Sequence, residues 1–397
     1  MKLSARAQRL QPSATLTITA KAKALKSQGI DVIGFGAGEP DFDSPDHVKQ
    51  EAIRAINDGM TKYTVVGGID ELKDAILNRI KDDHGLEYEM SELIVSCGAK
   101  HTLYNLAQVL FDTGDEVIIP APYWVSYPEQ VRLAEATPVI LDTQESEGFK
   151  ITPDSLNKHI TEKTSALMLN YPSNPTGATY NEEELRAIVD VAMNAGATII
   201  SDEIYEKILY GGMKHVPVAT LGEEIKKSTI LVNGVSKSYS MTGWRIGFAA
   251  GDKDVISAVS KLQGQSTSNP TSISQWAAIA AYNGPHDIIE ARTVEFEKRK
   301  DYIVGRLNAL PGVSCFNPQG AFYVFPNISG FFGKKWNDKT IADSLDFTEY
   351  ILVEAKVAVV PGVAFGSDDH VRISYATSMD DIVKGMDRME EALSKIS

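Results

Sequence analysis

Residues 166–205 read ALMLNYPSNPTGATYNEEELRAIVDVAMNAGATIISDEIY. Ala166 to Asn170 is a short apolar run that ends at a Pro- and Gly-rich loop, Tyr171 to Gly177. Asn181 then precedes three glutamates and a stretch, Glu182 to Asn194, with apolar residues at helical spacing. An Asn cap with acids in the first turn matches the unpaired N–H groups and positive dipole end of a helix start. Thr198 to Asp202 is a second short apolar run. Strand, helix and strand in succession predict one crossover unit of a mostly parallel sheet.

The alternation continues in both directions. Leu93 to Cys97, Glu116 to Pro120, Pro138 to Asp142, Ile230 to Asn233 and Ile246 to Ala250 are further candidate strands. Short buried strands separated by helical patterns predict an α/β domain with a mostly parallel sheet. The last hundred or so residues differ. A charged helix is expected from Asp287 to Leu310, then a strand at Gly320 to Phe325 and a helical patch at Ala342 to Ala355. Strands at Val357 to Val360 and His370 to Ser374 and a final amphipathic helix complete an α+β pattern. We therefore expect a large domain over residues 46–290, and a smaller one from residues 1–45 with 291–397.

The 397 residues carry 39 Lys and Arg against 53 Asp and Glu, a net charge of −14. Such a surface disfavours nucleic acid and anionic membranes, which are bound through clustered cations. No apolar run reaches the ~18 residues of a membrane span, and the first ten residues lack an apolar signal core. With two cysteines, Cys97 and Cys315, no disulfide framework can be built, and a cytoplasmic location is expected. Both cysteines are expected to be buried packing residues. None of the seven histidines forms a metal-binding spacing, so no metal is expected.

In an open parallel sheet, ligands bind beyond the carboxyl ends of the strands. Gly98-Ala99-Lys100 follows the first candidate strand and opens a helix, a turn whose free N–H groups suit phosphate. Asn174 follows the strand ending at Asn170, Asp202 ends the next, and Gly234-Val235-Ser236-Lys237 follows the one after that, with Arg245 beyond. Each step is close to one crossover unit of ~30 residues, so Asn174, Asp202 and Lys237 line up on one sheet edge. Pyridoxal phosphate needs this set: a lysine amine for its aldehyde, a carboxylate for its ring nitrogen, and an anion cradle. Asn174 and Tyr205 suit its phenolic oxygen.

Taken singly, each residue has a plainer reading. Lys237 suits a solvated surface, Asp202 a helix cap, Trp124 a core, and Arg372 any nearby acid. The cluster Gly34-Phe35-Gly36-Ala37-Gly38 is no dinucleotide fingerprint, because Glu39 stands where the last glycine is required.

The stretch Ser236-Lys237-Ser238-Tyr239-Ser240-Met241-Thr242-Gly243-Trp244-Arg245-Ile246-Gly247 resembles the cofactor-lysine motif of class I aminotransferases. Asn174-Pro175-Thr176-Gly177, Ser201-Asp202-Glu203-Ile204-Tyr205 and Val371-Arg372-Ile373-Ser374 match other fixed points of that family, in its order. Gly38-Glu39-Pro40-Asp41-Phe42 and Pro122-Tyr123-Trp124-Val125-Ser126-Tyr127 are similar to the bacterial aspartate aminotransferase subgroup. The resemblance runs from Pro12-Ser13-Ala14-Thr15 to the final helix.

It implies fold type I of the pyridoxal-phosphate-dependent transferases: a large domain with a seven-stranded sheet, and a small domain that closes over substrate. Lys237, Asp202 and Tyr205 would be the catalytic groups. Gly98, Ala99, Lys100, Ser236 and Arg245 would hold the cofactor with Asn174, and Trp124 would stack on its ring. Tyr63 would reach the cofactor of a neighbouring subunit, implying a homodimer with shared sites. Arg372 would fork onto the substrate α-carboxylate, with Gly38, Trp124 and Asn174 against the substrate. Lys100, Ser13 and Thr15 would meet its distal carboxylate. The implied reaction moves the amino group of aspartate to 2-oxoglutarate. Relatives that also use prephenate tend to carry a basic residue where this chain has Gln11. Aromatic or alanine transamination, C–S lyase chemistry and a non-catalytic ligand sensor are the alternatives on the same scaffold.

Overall fold

The structure, a computed structural model, describes residues 2–10 and 14–396. Seven strands form its central sheet: β1 (Leu93–Ser96), β2 (Glu116–Ala121), β3 (Thr137–Asp142), β4 (Thr164–Asn170), β5 (Thr198–Asp202), β6 (Thr229–Gly234) and β7 (Gly247–Ala250). Their order across the sheet is β1-β7-β6-β5-β4-β2-β3. β7 runs antiparallel to both of its neighbours, and the remaining pairs are parallel. Each of the seven expected strands is present, with ends displaced by no more than a few residues.

Alternate strand residues point to opposite faces, and two helices take up the two sets. On one face Val117, Ile119, Met168, Ile200 and Val232 pack with Leu103 and Leu106 of α1 (Ala99–Leu110). On the other, Ile118, Leu167, Leu169 and Ile199 pack with Leu185, Ile188 and Val189 of α2 (Glu182–Asn194). Each of these side chains contributes about 1.5–3 kcal/mol through burial. α2 begins as its sequence predicts: the Asn181 side chain accepts from the Glu184 N–H at 2.9 Å, and Glu184 accepts from the Asn181 N–H at 2.9 Å.

α3 (Asp287–Asn308) ties two cores together. Ile289 packs in the core beneath β1 and β7, whereas Phe296, Ile303 and Leu307 pack with C-terminal residues. There, Tyr323–Val324 and Val360–Pro361 flank Val371–Ser374 in a three-stranded antiparallel sheet. Ile33–Gly34 pairs in parallel with Val357–Ala358, so the N-terminal segment joins this C-terminal unit.

Several expectations needed correction. The single strand at Val357 to Val360 is two, divided at Val359, because each half serves a different partner. The strand at Gly320 to Phe325 shortens to Tyr323–Val324, with Ala321 in a left-handed conformation at φ 58°. The helical patch becomes α-helix over Ser344–Tyr350 and π-helix over Ile351–Ala355. Cys315 is buried, but Cys97 is only half-buried, because it lies where β1 has already left the core. Among the described residues, no helix is long and apolar enough to cross a membrane.

Candidate active site

The register of the sheet gathers the site. Asn170 at the end of β4 is paired with Asp202 at the end of β5, and Asp202 with Val232 of β6. The loops leaving these strands therefore open side by side, around a cavity of about 320 Å³. That volume suits a small molecule.

Asp202 is 4% exposed. Tyr127 donates its hydroxyl to Oδ2 at 2.6 Å, and the Ile204 N–H donates to Oδ1 at 3.3 Å. Local capping therefore uses one oxygen only. Burial pushes the carboxyl up to about 6, and the Tyr127 bond pulls it the other way. Asn170 fastens the adjoining loop: its amide donates to the Asp202 carbonyl and its Oδ1 accepts from the Asn174 N–H, both at 2.9 Å.

Lys237 is half-buried and lines the cavity instead of standing in solvent. Its ammonium donates to the Gly38 carbonyl at 2.6 Å and lies 5.9 Å from the Tyr205 ring centre. Desolvation, with Arg372 adding to it, lowers the amine to about 8.

Arg372 is 2% exposed. It donates to Asn174 Oδ1 at 3.0 Å and to the Gly36 carbonyl at 2.7 Å, and its Nε is buried without a partner. Its guanidinium lies 4.6 Å from the Tyr323 ring centre and 5.0 Å from that of Phe365. Among the described residues no carboxylate pairs with it. A buried cation without a counter-charge is costly, so the pocket is built to receive an anion.

A second anion-attracting end lies across the cavity. α1 starts at Ala99, where first-turn N–H groups lack helical partners. Gly98 has φ 88°, and a side chain there would run into the Arg245 guanidinium. Arg245, itself left-handed at φ 60°, donates to the carbonyls of Thr242 at 2.9 Å and Cys97 at 3.2 Å. The Lys100 ammonium lies 4.8 Å from the Trp124 ring centre, and burial lowers its pKa. Trp124 meets Tyr127 edge-on at 5.3 Å.

Gly38, Ala99, Lys100, Trp124, Asn174, Asp202, Tyr205, Ser236, Lys237, Arg245 and Arg372 all line this one cavity, and Gly98 lies beside it. Tyr63 does not: it is 90% exposed on the single chain. Ser13 and the side chain of Thr15 lie outside the described residues. Tyr127, Tyr323 and Asn170 also line the cavity, with no role assigned from sequence. Tyr127 stands in a quoted motif, but only the fold brings it to Asp202. Tyr323 sits in an apolar run that reads as core.

Histidine spacing also proved an incomplete guide. Asp83 and His84 converge with Glu206 from a distant segment, and Glu203, Glu206 and His215 cluster within one stretch of chain. They are paired among themselves: His84 with Glu206 at 2.8 Å, His215 with Glu203 at 2.7 Å, and Lys207 with Asp83 at 2.5 Å. The cluster is a network of paired acids and bases, with His215 Nδ1 left buried and unpartnered.

A family model described as aminotransferase class I and II matches residues 30–389. Aspartate aminotransferase of Geobacillus stearothermophilus is 54% identical over 392 residues, covering 98% of each chain. The structure of an aspartate aminotransferase from Rhizobium meliloti superposes with a TM-score of 0.96 at 44% identity, covering 100% of both chains. That of Thermus thermophilus aspartate aminotransferase with maleate gives 0.93 at 41%, covering 99% of this chain and 100% of that one. With a family model spanning most of its length and relatives matched end to end, this chain belongs to the class I and II aminotransferases.

Proposed function

We propose that this chain transfers the amino group of L-aspartate to 2-oxoglutarate, using pyridoxal phosphate, in two successive half-reactions. One observation carries the reading. A partly desolvated lysine, a buried carboxylate and a buried guanidinium without a carboxylate partner face a single cavity.

The donor set fits the cofactor. Arg245 and the opening turn of α1 would hold its phosphate, and Asp202 would hold a proton at its ring nitrogen. Asn174 and Tyr205 would meet its phenolic oxygen, Trp124 its ring face, and Lys237 its aldehyde carbon. When bound, pyridoxal phosphate supplies an electron-poor ring that accepts the charge left when Cα loses its proton. The residues of the chain do the rest. Arg372 orients the amino acid by a two-point contact with its α-carboxylate, for which its free Nε and fork geometry are suited. Lys237, with its amine lowered to about 8, takes the Cα proton and returns it one position away.

Lys100 is the side chain we assign to the distal carboxylate. Lys100→Ala is expected to lower kcat/KM for aspartate roughly 10- to 100-fold, the worth of a hydrogen bond to a charged group, and to spare phenylalanine. Equal losses on both substrates would remove Lys100 from that role. The lowered amine has its own consequence. Capture of pyridoxal phosphate by the apo-protein should quicken about fivefold from pH 7 to pH 8 and level off above, as the neutral fraction of an amine near 8 saturates. A rate that kept climbing tenfold per unit to pH 10 would indicate an unshifted lysine.

The same reading includes a cytoplasmic homodimer. Tyr63 at 90%, Val65 at 61%, Ile56 at 52% and Ile53 at 49% exposed support an apolar contact surface, with Tyr63 reaching the neighbouring site. It also includes a division into residues 46–290 and residues 1–45 with 291–397, supported by the pairing of Ile33–Gly34 with Val357–Ala358. The decisive experiment is a steady-state panel of amino donors and keto acids with the cofactor supplied. Oxaloacetate release from aspartate should exceed every other activity. A colourless protein that binds no pyridoxal phosphate would end the proposal.

A further inference from the structure

We propose that Tyr323 is a positioning residue of this site, fixing the Tyr205 hydroxyl so that it donates into the cavity. The proposal rests on the aminotransferase reading above. Tyr323 belongs to the C-terminal sheet, where it is the register partner of Ser374. Arg372 and Ser374 share a strand face, so Tyr323 lies diagonal to Arg372, within reach of an aromatic ring. The pairing thereby slides the Tyr323 ring under the guanidinium, 4.6 Å away.

The hydroxyl of Tyr323 points further, to the Tyr205 hydroxyl at 2.9 Å. It also lies beside the backbone whose carbonyl takes Lys237, close enough that a Cβ at Gly38 would stand 2.9 Å from it. Both tyrosines are buried, Tyr323 completely and Tyr205 at 2% exposed. Among the described residues neither hydroxyl has a second protein partner.

Two phenols sharing one hydrogen bond have two possible arrangements. If Tyr205 donates, its proton is turned away from the cavity. If Tyr323 donates, the Tyr205 proton is left for a ligand. The second arrangement is favoured because the stacked cation of Arg372 makes the Tyr323 phenol the more acidic of the two, and the more acidic phenol donates. Burial raises the pKa of both phenols, Tyr205 well above its ordinary value; Arg372 opposes burial at both, but only the Tyr323 ring is stacked on its guanidinium, and there it is the chief influence against burial. A phenol that accepts one hydrogen bond becomes a stronger donor of the next. Tyr323 thus strengthens the contact between Tyr205 and the phenolic oxygen, which lowers the proton affinity of the cofactor bound at Lys237.

Tyr323→Phe tests this, because it removes the hydroxyl and retains the ring beneath Arg372. The readout is the pH midpoint of the visible absorbance of the purified holoenzyme. It should rise by about 0.4–1 pH unit in Tyr323→Phe, the worth of one hydrogen bond. In a Tyr205→Phe background the same substitution should cause no further shift. An unchanged midpoint in Tyr323→Phe overturns the proposal, as does an equal shift in both backgrounds. A raised KM with an unmoved midpoint also overturns it, since Tyr323 would then serve Arg372 alone. Wild-type protein that binds no pyridoxal phosphate brings down the aminotransferase reading and this proposal together. A wild type that titrates normally beside an indifferent Tyr323→Phe brings down only the second.

Discussion

Lys237→Ala is expected to lower turnover of aspartate with 2-oxoglutarate by about ten-thousand-fold or more. The substitution removes the proposed attachment point and the proposed proton carrier at once. Each alone is worth orders of magnitude, general acid–base transfer contributing roughly 10²–10⁴. No neighbour can take over. Among the described residues, the other cations on the cavity are Lys100, held over Trp124, and Arg245 and Arg372, whose guanidinium groups do not give up a proton. The fold should survive. The Lys237 ammonium makes one hydrogen bond, to the Gly38 carbonyl, and desolvation disfavours its charge. Lys237→Arg makes the control sharper, because it keeps a cation near Gly38 and should be equally inactive. Both variants are to be assayed for turnover, for visible absorbance with cofactor, and for thermal unfolding of the apo-protein. Turnover within tenfold of wild type in either would remove Lys237 from the chemistry.

Asp202→Asn is expected to act in opposite directions on activity and on stability. Activity should fall by about a thousandfold, because an amide cannot hold the cofactor's ring nitrogen in its protonated form, and a positioned proton of this kind is worth roughly 10²–10⁴. Stability of the apo-protein should rise. The Asp202 carboxyl is raised from 3.8 to about 6 by burial. A raised acid favours the folded state fully only below its unfolded pKa. Its contribution is lost as pH climbs through about 6. Above that, ionised Asp202 costs the fold on the order of 3 kcal/mol at most. Folding raises the proton affinity of this carboxyl about a hundredfold, and each tenfold corresponds to about 1.4 kcal/mol. An uncharged asparagine, still able to accept from Tyr127, escapes that cost. Denaturant midpoints of the two apo-proteins should therefore nearly coincide at pH 4 and separate in favour of Asn by pH 8. A less stable Asn variant at pH 8 would show that the carboxylate is a stabilising ion and not a strained one.

Much of this was legible before folding is considered. The run from Ala166 to Tyr205 contains two strands, a capped helix and a Pro-Gly loop. Its spacing alone aligns Asn174 with Asp202, because one crossover unit returns the chain to the same sheet edge. α2 formed where Asn181 and its glutamates indicated, since a helix cap is a local matter of a few neighbouring atoms. The C-terminal region is less legible for the converse reason. Val357 to Val360 is one apolar run in sequence, yet its halves pair with Ile33–Gly34 and with Val371–Ser374. No local pattern encodes two different partners. The acid–base network of His84, Glu203, Glu206 and His215 is hidden on the same grounds, since His84 reaches Glu206 from 122 positions away.

The sequence by itself determined the layered α/β architecture, the edge of the sheet at which a ligand would bind, and the chemical types gathered there. For Asn174, Asp202 and Lys237 these follow from periodicity, caps and crossover length, which are properties of neighbouring residues; Trp124 and Arg372 follow only from the family resemblance. Only the tertiary structure decided the state of each group. It takes burial to lower Lys237 to about 8 and raise Asp202 to about 6, a hydroxyl from Tyr127 to hold that carboxylate, and the Tyr323 ring to seat Arg372 without a counter-acid. A charge's cost depends on what surrounds it in three dimensions, and those surroundings come from residues far apart in the chain, as Gly36 is from Arg372, 336 positions away.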